Sequence, residues 1–360
     1  MKMEMKYSQP KNENRQNLTS TDYKSWGLET NPIDSPAKLR KKLQDAIKIE
    51  LATIPPYLTA LYSIVAGTNR VATGIIRSVA MEEMLHLCLA ANLLNAVGGE
   101  PVIDHSTTLD YPDFLPENSN RFKVGLVKFS PEAINTFLDI ERPVKDSRPP
   151  EGDKFRSIGQ FYLAVLKAME DLGAGIFIED HSKQITSDHY YGSGGKIVPV
   201  TNLKTARQAV NEIIGQGEGI DHTIEDGIPG NFGDEIELAH YFRFNEIKEG
   251  RKYRVGDNTQ DPPSGEPVEV DWGAVYNMKP NPRLTDYDHN PQLAEQARNF
   301  NKTYADLLRN IHSACNGCQD DLKKAIPLMY ELKYQAIGLM KTPIGQGELT
   351  AGPTFEPVTA

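Results

Sequence analysis

The chain has 360 residues, 39% of them hydrophobic and 24% charged, enough for one large domain or two modest ones with a buried core. A formal net charge of −10 excludes nucleic acid as the expected main partner, since a phosphate backbone asks for clustered Lys and Arg. No apolar run approaches the ~20 residues of a membrane span, the opening MKMEMKYSQPKNENRQ lacks the apolar stretch of a secretory signal, and three cysteines are too few for a disulfide scaffold. No membrane partner and a cytoplasmic location are therefore expected.

Residues 1–33 are polar and aperiodic and read as an arm with no core of its own. Asp34 or Ser35 is placed to cap a first helix with Pro36 at its first position, running through Ile54. Pro55-Pro56 then predicts a kink or break before residues 57–65 continue. The inward stripe of this helix is Leu43, Ile47, Glu50 and Ile54. An ionised Glu50 on that face is costly unless paired or bound to a cation. A second helix, ended by Gly98-Gly99, carries the stripe Ile76, Val79, Glu83, His86, Ala90, Leu93 and Val97, so a Glu-x-x-His pair interrupts another apolar face. Glu and Glu-x-x-His pointing from two antiparallel helices into one interior are half of a di-iron carboxylate site in a helical bundle.

A crossover rich in Pro, Asp and Asn occupies residues 98–154; it contains the weakly alternating residues 122–129 and a short helix capped by Ser130-Pro131-Glu132. A third helix is expected over 155–172 and a fourth over 203–218, separated by an aromatic, Gly-rich segment with His181, His189, Tyr190 and Tyr191. Val210, Ile214 and Glu218 share a face of the fourth helix, which puts a carboxylate at the end where the helix dipole disfavours it. A bound cation or a solvent-facing residue in a fraying turn both account for Glu218. A fifth helix over 235–248 holds a second Glu-x-x-His, Glu237 to His240, on a stripe through Phe244 and Ile247. Residues 249–290 read as loop, and 292–313 with 320–340 as a helical hairpin around Cys315-Asn-Gly-Cys318. That C-x-x-C is read as an inter-helix turn, a redox pair or half a zinc site being the alternatives, and Cys88 as a core residue.

These elements divide the chain into a polar arm (1–33), a metal-binding helical bundle (34–248, with an insertion at 98–154) and a loop plus helical hairpin packed on the bundle (249–360). The fold class is mainly α: a four-helix bundle with a long crossover.

The segments IELATIPPYLTALYSI (49–64) and VAMEEMLHLCLAANLLNAVGGEP (79–101) resemble the ferritin-like domain of the iminophenyl-pyruvate dimer synthase family of violacein and rebeccamycin biosynthesis. FSPEAINTFLDIERP, SIGQFYLAVLKAMEDL, IIGQGEG, ELAHYFRFNEI and AGPTFEP extend the resemblance over most of 36–356. It implies a ferritin-like bundle holding one or two iron ions, with Glu50, Glu83, His86, Glu218 and His240 as metal ligands and oxidative coupling of imines derived from aromatic amino acids as the chemistry. Where the family commonly reads Ile-Gly-Glu-Phe-Tyr, this chain has Gln160, and an amide binds iron more weakly than a carboxylate, so one iron position is expected to be weakened; Glu170 and Glu237 are the carboxylates considered as substitutes. The family's large haem-linked N-terminal region is missing from this sequence. Three functions follow as expectations: an iron-dependent oxidoreductase acting on a small molecule, a protein that sequesters iron or another divalent metal without turnover, or a metal-free scaffold. Homo-oligomerisation is left open.

Overall fold

The computed structural model describes residues 27–28, 31–119, 122–143, 150, 153–192, 194–218, 224–229 and 236–358, with side chains left out at 218, 225–229 and 236–237. The polar arm thus lies almost entirely outside the described residues. Eight α-helices are found among the described residues: α1 (Pro36–Ser63), α2 (Arg70–Ala96), α3 (Pro131–Ile140), α4 (Ile158–Leu172), α5 (Leu203–Glu218), α6 (His240–Glu249), α7 (Pro291–Cys315) and α8 (Asp321–Met340). Two antiparallel two-stranded ribbons accompany them: β1 (Asp113–Phe114) with β2 (Lys123–Val124), and β3 (Glu225–Pro229) with β4 (Ile236–Leu238).

Side-chain capping starts several helices, at Ser35 and Ser130 where the sequence places it and at Ser157 two residues past the expected start of the third helix. The Ser35 side chain accepts from Lys38 N–H at the head of α1, Ser130 does the same for Ala133 in α3, and Ser157 for Gln160 in α4. The expected break at Pro55-Pro56 does not occur: α1 is helical for 28 residues through both prolines. Pro56 has no N–H to give the Ala52 carbonyl, and the Tyr111 hydroxyl donates to that carbonyl instead at 3.0 Å, so the crossover repairs one of the bonds the prolines remove.

Helices α1 and α2 form one antiparallel pair and α4 and α5 the other; α1 packs on α4 and α2 on α5, which closes a four-helix bundle. Helices α3 and α6 pack on each other and against α1, α2 and α5. The hairpin of α7 and α8 lies on the outer flank of the first pair, α8 against α1 and α7 against α2. The fifth helix differs from its sequence reading. It starts at His240, and Glu237 lies in β4, so the second Glu-x-x-His is not a pair on one helix face. Ala239 is extended, with φ −61° and ψ 155°, and gives its N–H to the Ile224 carbonyl at 3.0 Å, which holds this stretch to the ribbon until the helix begins.

Candidate metal centre

Both helices of the first pair are buried nearly all round where they cross. In α1, Thr53 and Tyr57 share the inward edge with Glu50; in α2, Glu82, Glu83 and His86 are all enclosed. Two further groups arrive from outside the pair: Glu141, the residue capping the C-terminus of α3, and His240, the first residue of α6. Exposures of 1% for Glu50, 2% for Glu83, 3% for His86, 4% for Glu141 and 0% for His240 put three carboxylates and two imidazoles in one dry interior.

The donor atoms form two triads that share one residue. Glu50, Glu83 and His86 have ligand atoms within 4.8 Å of one another, as do Glu83, Glu141 and His240. His86 Nδ1 lies 3.5 Å from Glu83 Oε1 and 3.7 Å from Glu50 Oε2. His240 Nδ1 lies 3.0 Å from the same Glu83 Oε1 and 3.5 Å from Glu141 Oε2. Donors about 2.1 Å from one ion, at roughly right-angle to tetrahedral spacing, stand about 3.0–3.4 Å apart, so each triad has nearly the spread of a partial coordination shell, with Glu83 between the two.

The outer faces of both rings fix their tautomers. Gln216 Nε2 donates to the Gly194 carbonyl at 2.7 Å, which leaves its Oε1 to accept from His86 Nε2 at 2.7 Å. His240 Nε2 donates to Glu82 Oε2 at 2.8 Å, and Arg243 pairs with both oxygens of Glu82. With protons on Nε2, both Nδ1 lone pairs face the carboxylates, an arrangement found at metal sites where the second ring nitrogen is held by an acceptor. The loop that supplies Gly194 and Gly195 must run close to this shell. Their φ values are +96° and +124°, and a Cβ on Gly194 would stand 2.7 Å from Glu82 Cγ.

The carboxylates are held on their far sides by hydroxyls: Tyr162 donates to Glu50 Oε1, Tyr57 to Glu141 Oε1, and Thr53 to Glu83 Oε2 at 2.9 Å. Phe137 and Phe244 pack on the Tyr57 ring, with centroids 4.6 Å and 5.3 Å away. Burial, then the charge of Glu83, pushes the Glu50 carboxyl well above its ordinary range. Burial acts the same way and most strongly on Glu82, but the charges and hydrogen bonds of Arg243 and His240 together outweigh it and bring that group down to about 2. Burial lowers the affinity of His240 for a proton, yet the surrounding carboxylates, Glu141 foremost, raise it well above the usual imidazole value. Arg243 is committed to Glu82, so its charge does not reach the three inner carboxylates directly. The fit to a cation rests on one atom in particular: His240 Nδ1 is buried and makes no hydrogen bond, although two carboxylate oxygens lie within 3.5 Å of it. A lone pair aimed at anionic oxygens is stable only with a proton or a metal ion between them.

The structure therefore brings together four of the five ligands expected from the sequence. The fifth, Glu218, ends α5, and its side chain lies outside what is described. The two residues before it do reach the centre: Gln216 bonds His86, and a Cβ on Gly217 would lie 3.6 Å from Glu141 Oε2. Glu141 went unrecognised in the sequence. The stripe Ile134, Phe137, Leu138, Glu141 repeats the signal of Glu50, an acid continuing an apolar face, but it falls one residue past the helix end, where a charge is unremarkable. Gln160 is fully buried; its Oε1 accepts from Arg156 N–H at 2.8 Å while its own N–H caps on Ser157, so this amide helps to close the start of α4. Glu170 pairs with Arg207 between α4 and α5. Cys88 and Cys315 are buried free thiols and Cys318 is exposed. Among the described residues no helix is long and apolar enough to cross a membrane.

Comparison with known proteins agrees with this architecture. A dichlorochromopyrrolate synthase from Lentzea aerocolonigenes is 23% identical over 385 aligned positions, covering 90% of this chain; the chain spans only 36% of that relative's length. The crystal structure of a ferritin-like protein from Caulobacter vibrioides superposes with a TM-score of 0.63 at 23% identity, over 88% of this chain and 97% of the other. A family model described as ferritin-like matches residues 43–249, more than half of the sequence, from within α1 to the end of α6, so this chain belongs to the ferritin-like family.

Proposed function

We propose that this chain is a non-haem iron oxidoreductase with a two-metal centre, acting on a small molecule derived from an aromatic amino acid. Glu50 and His86 would hold one ion and Glu141 and His240 the other, with Glu83 common to both groups and Glu218 retained as a further ligand from the end of α5. The supporting observation is the shared triad geometry around Glu83, with the unpartnered Nδ1 of His240 facing it. The likeness to dichlorochromopyrrolate synthase favours the substrate class.

Bound iron would supply one-electron redox chemistry and open positions for O2. The chain's own residues prepare that site. Gln216 and Glu82 keep each imidazole in the ligating tautomer, and the phenols of Tyr57 and Tyr162 hold the terminal carboxylates in place. The rings of Phe137 and Phe244 exclude water from the Glu141 side.

The test is anaerobic reconstitution with Fe2+, metal analysis, and oxygen uptake with and without an oxidised aromatic amino acid. Close to two equivalents of iron per chain, with uptake accelerated by the substrate, supports the proposal. Less than about one equivalent, unchanged in Glu83→Ala, refutes a metal centre and leaves the scaffold reading. Full loading without turnover refutes the oxidoreductase and leaves metal sequestration.

A further inference from the structure

On the outer flank of the α1–α2 pair, beneath the α7–α8 hairpin, lies a cavity of about 670 Å3. It shares no residue with either ligand triad, so it stands or falls independently of the metal centre. Leu51, Ile54 and Leu58 of α1, Met84 and Leu87 of α2 and Leu308 of α7 supply much of its apolar wall. The volume falls within the ~300–1,000 Å3 of small-molecule sites and is far larger than the voids that close-packed interiors leave.

Its charged lining is all of one sign. Arg70 and Arg77 on α2 and Lys333 on α8 border the cavity, and no Asp or Glu does, in a chain whose formal net charge is −10. None of the three cations has a hydrogen bond or ion pair with another described residue. Arg70 opens α2, whose first turn contains no acidic residue, so the positive end of a 27-residue helix adds to the two guanidinium groups. Gly74 stands between them and presents bare backbone: a Cβ there would have nothing within 4 Å. Further inside, Tyr62 and Tyr304 line the cavity with 7% and 4% of their surface exposed, and neither phenol has a hydrogen-bond partner among the described residues. Neither oxygen is among the fully enclosed unpartnered atoms, so both hydroxyls keep an accessible face free for a ligand oxygen.

We propose that this cavity binds an amphiphilic carboxylate, its apolar body between α1, α2 and the hairpin, its anionic head at Arg70 and Arg77, with the Tyr62 and Tyr304 hydroxyls as donors to oxygen atoms on the ligand. Long-chain fatty acids and aryl carboxylates share this chemistry, and the assay separates them.

The experiment is calorimetric titration of the purified full chain with palmitate, 2-naphthoate and the uncharged counterparts 1-hexadecanol and 2-naphthalenemethanol. Saturable binding of palmitate or 2-naphthoate at about one per chain is expected, with the tighter of the two identifying the body of the ligand. The double variant Arg70→Ala/Arg77→Ala, both positions being at the surface, weakens the carboxylate about ten-fold and leaves its alcohol unchanged. Gly74→Leu, which improves helix propensity, fills the open space and abolishes both while the melting temperature is retained. Equal affinity for acid and alcohol in the wild-type chain, binding unaffected by Gly74→Leu, or no saturable binding at all overturns the proposal. So does a self-association, read by sedimentation, that Gly74→Leu removes without any ligand having bound, since the cavity would then be covered by a second copy.

Discussion

Glu141→Gln separates a two-metal centre from a single site more cleanly than any other substitution. Glu141 belongs to one triad only, whereas Glu83 belongs to both. The amide keeps the carboxylate's shape and an oxygen for the Tyr57 hydroxyl, so the variant avoids the ~1–3 kcal/mol cost of leaving that buried phenol unpaired. What it removes is an anionic donor 3.5 Å from His240 Nδ1. Loss of a mere outer-sphere partner costs about 10–100-fold in metal affinity, and a direct ligand costs more. The position held by Glu141 and His240 therefore empties at micromolar free Fe2+, while that of Glu50, Glu83 and His86 stays filled. Metal analysis after desalting should fall from about two equivalents per chain to about one, and Glu83→Gln should fall below one. Circular dichroism and melting in the presence of chelator confirm that the fold survives. Two equivalents retained in Glu141→Gln, or both lost together in it, would refute the division of the site into two triads bridged by Glu83.

Arg243→Met leaves the Glu82 charge buried without its cation, a class of change that costs about 3–5 kcal/mol, and should lower the urea midpoint accordingly; an unchanged midpoint would mean that the pair contributes nothing to folding. The same pair sets an acid limit. The Glu82 carboxyl is held at about 2, below its unfolded value of 4.5, so its contribution is present above pH 4.5 and is lost as pH falls through 2; chemical denaturation between pH 5 and pH 3 should show a smaller acid loss in Arg243→Met than in the wild type. Gln216→Leu removes the acceptor that orients His86, and metal affinity at the first triad should drop about 10–100-fold with the secondary structure intact by circular dichroism. Fe2+ loading near pH 7 in weak buffer should release protons, because burial raises the proton affinity of Glu50 and the neighbouring carboxylates raise that of His240; a dye-monitored titration with no release would contradict those shifts.

The bundle was legible in the sequence because α1, α2, α4 and α5 each bury an apolar face and α1 begins on a recognisable cap. Glu50, Glu83 and His86 could be read for the same reason: each interrupts a stripe, and a polar group there needs a partner. His240 was found by a pattern that misdescribes it, since Glu237 is in a strand and the ring reaches the centre as the first residue of a helix. Glu82 was not readable, because it neighbours Glu83 on a helix enclosed on several faces, and only Arg243 and His240, from 160 residues away in the chain, show why it is buried. The uninterrupted course of α1 through two prolines was equally beyond reach. It depends on the hydroxyl of Tyr111, which no local pattern assigns to the Ala52 carbonyl.

The two triads draw on very different spans of chain. Glu50, Glu83 and His86 belong to one helical hairpin and come together as soon as α1 meets α2. Glu141 and His240 join only after the crossover has folded back and α6 has docked, so their half of the centre cannot exist in a partly assembled bundle. An ion bound in that second half would therefore tie α3 and α6, distant in sequence, to the hairpin of α1 and α2.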